Sequence, residues 1–201
     1  MQKFATTAPI AAILDIPAGL VQFIAADRAD TAVEVRPADA SKSRDVKAAE
    51  ETSVEFADGV LRINGAKGGK ILGSSGSVEI TVQLPAGSRV EAKAASAEFR
   101  GVGRLGDIAF EAAQSDIKVD EAANVLVKTQ AGDVTVGSLS GSAEISTQKG
   151  DIKVGVAAGL SAALDAGTSY GRINNSLKNA GTPDLTIRAT TSYGDITASS
   201  L

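Results

Sequence analysis

An eight-residue pattern recurs in the second half of this sequence and constrains its fold more than any other feature. It reads T-Q-A-G-D-V-T-V at residues 129–136 and T-Q-K-G-D-I-K-V at residues 147–154, 18 residues later. In each copy a Gly-Asp pair separates two stretches in which apolar and polar residues alternate. Because a period of two is typical of half-buried strands, each copy predicts the end of one strand, a tight turn and the start of the next strand.

The pattern aligns as six units between residues 90 and 198, and the same kinds of position repeat in each unit. The inward positions of the first strand are Val90, Ala92, Ala94; Ile108, Phe110, Ala112; Val125, Val127, Thr129; Ala143, Ile145, Thr147; Leu164, Ala166, Thr168; and Ile187, Ala189, Thr191. The apolar column of the second strand is Phe99, Ile117, Val134, Ile152, Ile173 and Ile196. The two turn columns are Ala97, Ser115, Gly132, Gly150, Gly171, Gly194 and Glu98, Asp116, Asp133, Asp151, Arg172, Asp195. Six matches at similar spacing indicate internal repetition.

This repetition predicts an all-β protein, and specifically a β-solenoid. One unit cannot bury its few small apolar residues alone, whereas stacked units share a continuous core. Parallel strands joined by crossovers favour a right-handed coil, that is, a right-handed β-helix. An antiparallel meander closing into a β-sandwich is the alternative, because Gly-Asp turns also suit hairpins. We expect residues 89–201 to form a six-unit solenoid, and residues 1–88 to form a β-strand region that caps it within the same domain.

Local signals divide the first 88 residues into strands and connections. Residues 10–24 predict a hairpin with its turn at Pro17-Ala18-Gly19, and Asp58-Gly59 predicts a second hairpin. Residues 37–52 are polar and lack periodicity, so we expect a mobile loop with a helical turn at residues 45–51. The glycine clusters at residues 65–76 predict flexible connections, and they match neither a Walker A loop nor a dinucleotide-binding motif.

The composition excludes several classes of function. The sequence has no Cys and no His, so it lacks thiol nucleophiles, disulfides, the usual neutral-pH base and the commonest metal ligand. A net charge of -4 argues against nucleic-acid binding, which needs a basic surface. No segment approaches 18 continuous apolar residues, so we expect no membrane insertion and a cytoplasmic location. We predict no cofactor, no metal and no catalytic residue.

The acidic turn column is the first candidate for chemistry. Stacked carboxylates at a strand spacing could bind calcium, or act as the acid and base of a polysaccharide-cleaving β-helix. The favoured interpretation is structural, because a short Asp side chain after Gly can accept hydrogen bonds from nearby turn backbone. Lys118 and Lys153 are then expected to offset the carboxylate charges, together with Arg172 inside the column.

Tyr170 and Tyr193 are the second candidate, because each lies in a Thr-Ser-Tyr-Gly sequence at equivalent positions of the repeat. We expect them to stack, either as an exposed platform for a sugar or partner, or as a packed cap on the coil. The inward Thr residues at 129, 147, 168 and 191 are expected to bond turn backbone. The candidate interaction surface is Tyr170, Arg172, Tyr193, Asp151 and Asp195. The structural turn residues are Gly132, Asp133, Gly150, Asp151, Gly171 and Gly194.

The recurring T-x-x-G-D-[IV]-x-V unit resembles the bacterial β-strand-repeat proteins known as "putative adhesins". The strand and turn from Pro9 to Gly19, and the stretch Val33-Glu34-Val35-Arg36-Pro37, are similar to the start of that family, so the resemblance covers nearly the whole chain. It implies a β-solenoid or β-helical fold in a domain of unknown function, without agreed catalytic residues. The last two units depart from the pattern, with Arg172 and Asn175 in place of the usual Asp and Val.

Together these observations predict a non-enzymatic scaffold for protein–protein association or self-assembly. Residues 194–201 are expected to be a final strand at an uncapped solenoid end, which would support homo-oligomerisation through the C-terminal coils. The alternative is a carbohydrate-binding or polysaccharide-cleaving β-helix that uses the Asp column with Tyr170 and Tyr193. A third interpretation is an accessory protein that binds one protein partner.

Overall fold

The computed structural model describes residues 1–65 and 76–201, which form an all-β, solenoid-like fold with one short helix. Most of the predicted glycine-rich connection at residues 65–76 lies outside the described residues. In the described part, sixteen strands belong to one continuous sheet. No helix among the described residues is long and apolar enough to span a membrane.

Parallel pairing dominates the sheet from residue 89 onward. The strands of this part are β7 (Arg89–Arg104), β8 (Ile108–Ala122), β9 (Val125–Ala131), β10 (Val134–Leu139), β11 (Ala143–Ser146), β12 (Ile152–Val156), β13 (Ala162–Tyr170), β14 (Ile173–Ser176), β15 (Leu185–Tyr193) and β16 (Ile196–Ser200). Each pairing among these ten strands is parallel. The antiparallel meander is therefore wrong, and the repeat units stack as coils. The right-handed sense of the coil stays a prediction.

Each coil turns one corner between two faces that enclose a single core. On β8 the buried residues are Ile108 and Phe110 before the corner and Ile117 and Val119 after it. The buried positions change from even to odd numbers because two consecutive residues at the corner, 113 and 114, both face outward. This change lets one strand line both faces of the core. The inward columns predicted from the sequence are buried in this way in all but the outermost coil, except for Ala94, which is partly buried.

Some of the strands before residue 89 continue the stack of coils, and the others cover its end. They are β1 (Gln2–Ala5), β2 (Ala11–Ala26), β3 (Asp30–Pro37), β4 (Ser53–Ala57), β5 (Val60–Asn64) and β6 (Val78–Pro85), with helix α1 (Ser43–Glu51) after β3. β2 pairs in parallel with β5, β6 and β7, so residues 11–26, 60–64 and 78–85 continue the stack. β3 and β4 lie antiparallel on β6 and β5, and β1 lies on β3. These three strands and α1 cover this end of the stack.

Two local predictions for this region have different outcomes. The Asp58-Gly59 hairpin is confirmed: it joins β4 to β5, with φ of 50° and 75° at its two turn residues. The hairpin at Pro17-Ala18-Gly19 is wrong, because β2 continues through these residues as one 16-residue strand. They form a corner instead, where a Cβ on Gly19 would lie 2.0 Å from the carbonyl oxygen of Val78. The loop predicted at residues 37–52 contains helix α1, which begins at Ser43.

The order of the coils in space differs from their order in sequence at both ends. Strands β5 and β6 lie outside the coil at residues 11–26, although they follow it in the sequence. At the other end β15 pairs with β11 and β13, and β16 pairs with β12 and β14. We call residues 185–200 the inserted coil and residues 162–176 the outer coil. The prediction that residues 194–201 form the exposed final strand is therefore wrong, because β16 is paired on both sides.

Burial explains this order. The inserted coil carries Leu185, Ile187, Ala189, Ile196 and Ala198, each at most 3% exposed. In the outer coil, Asn175 occupies the position opposite Ala198, and Ile173 opposite Ile196 is 44% exposed. A polar residue in the inward column suits a coil with one side uncovered, since burying its amide without partners would be costly. The outer coil is thus the better end piece, although it comes earlier in the sequence.

The corner glycines give a direct test of the stacking. Gly150 has a φ of 147°, and a Cβ there would lie 2.1 Å from the carbonyl oxygen of Gly132 in the adjacent coil. We expect Gly150→Ala to lower the free energy of unfolding by about 2 kcal/mol or more, from backbone strain and steric overlap. Urea denaturation followed by circular dichroism measures this difference.

Gly167→Ala is the matched control, because Gly167 lies in β13 and a Cβ added there would have no atom within 4 Å. Its expected change is below about 1 kcal/mol. Equal stabilities for the two variants would show that close contact at the corner does not limit the stack.

Candidate functional site

The acidic turn column forms a continuous hydrogen-bonded ladder along one corner of the stack. The Oδ1 atom of each Asp accepts a hydrogen bond from the backbone N–H of the next column residue. The donors and acceptors are Asp133 N to Asp116 (3.0 Å), Asp151 N to Asp133 (2.8 Å), Asp195 N to Asp151 (2.8 Å) and Arg172 N to Asp195 (2.8 Å). We call this the Asp ladder. It follows the order of coils in space rather than in sequence.

The Asp ladder replaces the local turn bonds expected from the sequence. Each carboxylate bonds the neighbouring coil rather than the backbone of its own turn, so it joins coils to each other. Glu98 lies opposite Asp116 in the column, but its carboxylate pairs with Arg100 at 2.7 Å. The longer Glu side chain therefore marks the beginning of the ladder.

Arg172 ends the ladder at the outer coil. Its backbone N–H bonds one oxygen of Asp195, and its Nη2 donates to the other oxygen at 3.0 Å. These two hydrogen bonds, the backbone one first, lower the pKa of Asp195. The charge balance expected from Arg172 is thus observed. That expected from Lys118 and Lys153 is not, since neither forms an ion pair with an Asp of the column among the described residues.

The Asp ladder does not form a metal site in the described part of the chain. No group of three or more acidic residues is placed to hold a metal ion there. One oxygen of each ladder carboxylate accepts a backbone N–H instead.

A second ladder lines the inside of the same corner. The inward Thr hydroxyls donate to corner carbonyl oxygens, as expected from the sequence. The pairs are Thr129 to Ala131 (3.0 Å), Thr147 to Lys149 (3.3 Å), Thr191 to Gly150 (3.1 Å) and Thr168 to Gly194 (3.0 Å). Buried hydroxyls thereby satisfy backbone groups that leave the regular pairing at the corner.

Tyr170 and Tyr193 stack at this corner on the outer and inserted coils. Their ring centroids lie 4.9 Å apart with an angle of 5° between planes, close to the strand spacing of the sheet. The rings are 67% and 57% exposed. Such exposure does not fit a packed cap over the core, and it leaves the outward face of the Tyr170 ring in solvent.

The residues predicted as an interaction surface therefore come together at one corner of the open end. Tyr170 and Arg172 lie on the outer coil, Tyr193 and Asp195 on the inserted coil, and Asp151 one coil further in. Gly132, Asp133, Gly150, Gly171 and Gly194 continue the same corner. Their part in binding stays a prediction.

The sequence interpretation missed the apolar residues of the open end. Leu164 and Ala166 are half-buried, and Ile173 is exposed, because no described strand pairs with the outer edges of β13 and β14. Two signals pointed to this place: Arg172 breaks the acidic column and Asn175 breaks the apolar one. Both departures lie in the coil that has no neighbour on one side.

Comparison with known proteins places this repeat in a family. Residues 104–200, nearly half of the chain, match the family model described as Toastrack DUF4097. This match confirms the resemblance to a bacterial putative-adhesin family that was stated from the sequence. No curated protein matches the chain.

Solved structures extend the comparison to the whole chain. A "putative cell adhesion protein" from Clostridium sporogenes ATCC 15579 aligns over 100% of this chain and 99% of its own, with 14% identity and a TM-score of 0.51. A "putative adhesin" from Bacteroides fragilis NCTC 9343 aligns over 98% of this chain and 95% of its own, with 15% identity and a TM-score of 0.45. At these identities the first alignment supports the fold alone.

The Asp ladder predicts a specific loss on substitution. Asp151→Ala removes the acceptor of the Asp195 N–H, and we expect the free energy of unfolding to fall by about 1 kcal/mol. Asp151→Asn keeps an oxygen at the same position and should lose clearly less in the same urea titration. If Asn were as damaging as Ala, the charge of Asp151 rather than its hydrogen bond would matter.

The end of the ladder predicts a pH dependence. Because the folded-state pKa of Asp195 is lowered, its contribution to stability is present above the unfolded value of about 3.9 and lost as pH falls through the folded pKa. Arg172→Gln should therefore be less stable than the parent protein at neutral pH, and the difference should shrink below about pH 4. Urea midpoints across this range measure it; a constant difference would contradict the ion pair as its cause.

Proposed function

We propose that this protein is a non-enzymatic scaffold whose open end associates with the open end of a second copy. The observation that supports this most directly is the pairing at the end of the stack: β13 pairs with β15 and β14 with β16, and their outer edges have no described partner. Unpaired N–H and C=O groups along a strand edge are a template for pairing with another strand.

The side chains of the outer coil fit this role. Leu164, Ala166 and Ile173 continue the inward column of the core, but no further coil covers them. A second outer coil stacked on the first would bury these residues and complete the column. Apolar burial of this kind is the main favourable term in association.

The other end of the stack sets the size of the assembly. Strands β1, β3 and β4 cover it, and α1 adds the buried Ala48 and Asp45, whose carboxylate accepts the Ser77 N–H at 3.0 Å. This end is made of antiparallel strands and the open end of a parallel coil. The two ends therefore do not match as head and tail of a filament, although β1 and β4 also have outer edges without a described partner. Two open ends that meet around a two-fold axis give a closed dimer, in which the same surface is used on both sides.

The carbohydrate alternative has weaker support. A polysaccharide-cleaving site needs a free acid and base on either side of a bound sugar. In the Asp ladder one oxygen of each carboxylate is bound to backbone, and Asp195 is also paired with Arg172. The solved structure from Clostridium sporogenes carries a name that refers to cell adhesion, which agrees with an interaction role rather than an enzyme. The cytoplasmic location stays a prediction.

A charge placed at the open end tests the proposal. Light scattering over a wide range of protein concentration should show a dimer for the parent protein. Ile173→Lys places an ammonium group in the surface that pairing would bury, so we expect this variant to stay monomeric.

Leu126→Lys is the matched control, since Leu126 is 39% exposed and Ile173 is 44% exposed, but Leu126 lies on β9 away from the open end. It should dimerise like the parent. A parent protein that is monomeric at every concentration would overturn the proposal, as would equal effects of the two lysines. Loss of dimer with Tyr193→Asp as well would extend the surface to the tyrosine stack.

A further inference from the structure

The inserted coil holds the outer coil in place. In the described structure β13 pairs with β15 alone and β14 with β16 alone. Residues 185–200 therefore occupy a slot, bounded on one side by β11 and β12 and on the other by β13 and β14. After residue 156 the chain skips one coil position and forms the outer coil at residues 162–176. Residues 185–200 then return to the skipped position.

A second copy of the chain can fill the same slot. We propose that two copies exchange their inserted coils, so that residues 185–200 of each copy pair between β11–β12 and β13–β14 of the other. This inference rests on the proposed end-to-end association, and it names the contact that stabilises the dimer. Exchange keeps every strand pairing of the inserted coil, because identical slots offer identical partners.

The length of the connection permits this exchange. Eight residues, 177–184, join β14 to β15, and they reach about 26 Å when extended. When two open ends meet, the partner's slot lies two strand spacings from the outer coil, which is about 10 Å along the stack. The chain's own slot lies one spacing away. With about 10 Å used along the stack, the extended connection can also span a sideways displacement of about 24 Å, which is the condition that the two-fold axis must meet for exchange.

A small hydrogen-bonded clasp holds the connection in the unexchanged form. The Ser161 N–H donates to Asp184 Oδ2 and the Asp184 N–H donates to the Ser161 carbonyl oxygen, each at 2.8 Å. The Ala180 N–H donates to Ser161 Oγ at 3.0 Å. All three bonds must open during exchange. The two Asp184 bonds continue the β13–β15 pairing by one residue and are re-formed in the partner, whereas the Ala180 bond lies in the connection and is lost.

Pairs of cysteines detect exchange directly, since the natural sequence has no Cys. Glu144 on β11 and Arg188 on β15 are exposed and directly opposite in register. One chain carrying Glu144→Cys and another carrying Arg188→Cys are mixed, unfolded together in urea, refolded and oxidised. Neighbouring strands place paired residues at a distance that suits a disulfide. When the inserted coil of the Arg188→Cys chain lies in the slot of the Glu144→Cys chain, the two cysteines are opposite each other. A high yield of disulfide between the two chains is then expected.

The control pair uses coils that do not exchange. Glu111→Cys and Lys128→Cys are also exposed and opposite each other, on β8 and β9, and should link far less between chains. A single chain carrying both Glu144→Cys and Arg188→Cys, oxidised after folding, should form an internal disulfide and then resist exchange. Circular dichroism confirms that each variant is folded.

Asp184→Ala adds a kinetic measurement, in which the folded chains are mixed without urea so that the clasp must open before exchange. Loss of the clasp should give a several-fold faster appearance of the 144–188 disulfide between chains, without a change in the control pair.

The outcomes separate exchange from simple association. A 144–188 disulfide well above the 111–128 control supports exchange. A dimer by light scattering, with no more 144–188 than 111–128 linkage, overturns exchange and leaves end-to-end association standing. A monomer with no linkage between chains overturns both.

Discussion

Close contact between equivalent backbone positions is the constraint on which this structure depends. At the corner the carbonyl oxygen of one coil lies where the Cβ of the next would be, at 2.0 Å for Gly194 against Gly150 and 2.1 Å for Gly150 against Gly132. Only glycine allows that approach. The first two units carry Ala97 and Ser115 at this column, so in the repeat the close contact begins at Gly132. Because the corner fixes the register, every other column follows: the apolar positions meet inside, the Thr hydroxyls reach the corner carbonyls, and the Asp carboxylates reach the next backbone N–H.

The sequence predicted the columns well and the order of the coils badly, for one physical reason. A column is set by local spacing, so alternation placed Val127, Ile145 and Ala189 on the same inward line that the structure shows. Stacking order is a competition between coils of nearly equal sequence, Thr168–Gly171 and Thr191–Gly194. That competition is decided by burial of a few side chains, such as Ala198 against Asn175. In the sequence, Asn175 is only one departure from the repeat, so it does not indicate which coil lies outside.

In the candidate site, too, positions within the repeat were predicted correctly and the place of the coils in the stack was not. Equivalent positions in the repeat were enough to predict that Tyr170 and Tyr193 stack. They were not enough to show which end of the stack is open. Ile173 occupies a core position of the repeat and is exposed only because its coil lies at the end. Likewise, the clasp between Ser161 and Asp184 joins two loops that differ in length from those of the other units, so no column contained it.

The Asp ladder also has a direction, since each carboxylate accepts from the coil on the same side. A coil with Asp at this position can both receive and supply a bond, whereas Arg172 supplies an N–H and offers no carboxylate to a coil beyond it. Interior coils are therefore interchangeable modules, and duplication or loss of one would leave the ladder intact. The coil with Arg172 ends the ladder, although a coil without Asp can still stack, as the interior coil with Glu98 shows. One residue type at one column thus sets how far gene duplication could extend the ladder itself.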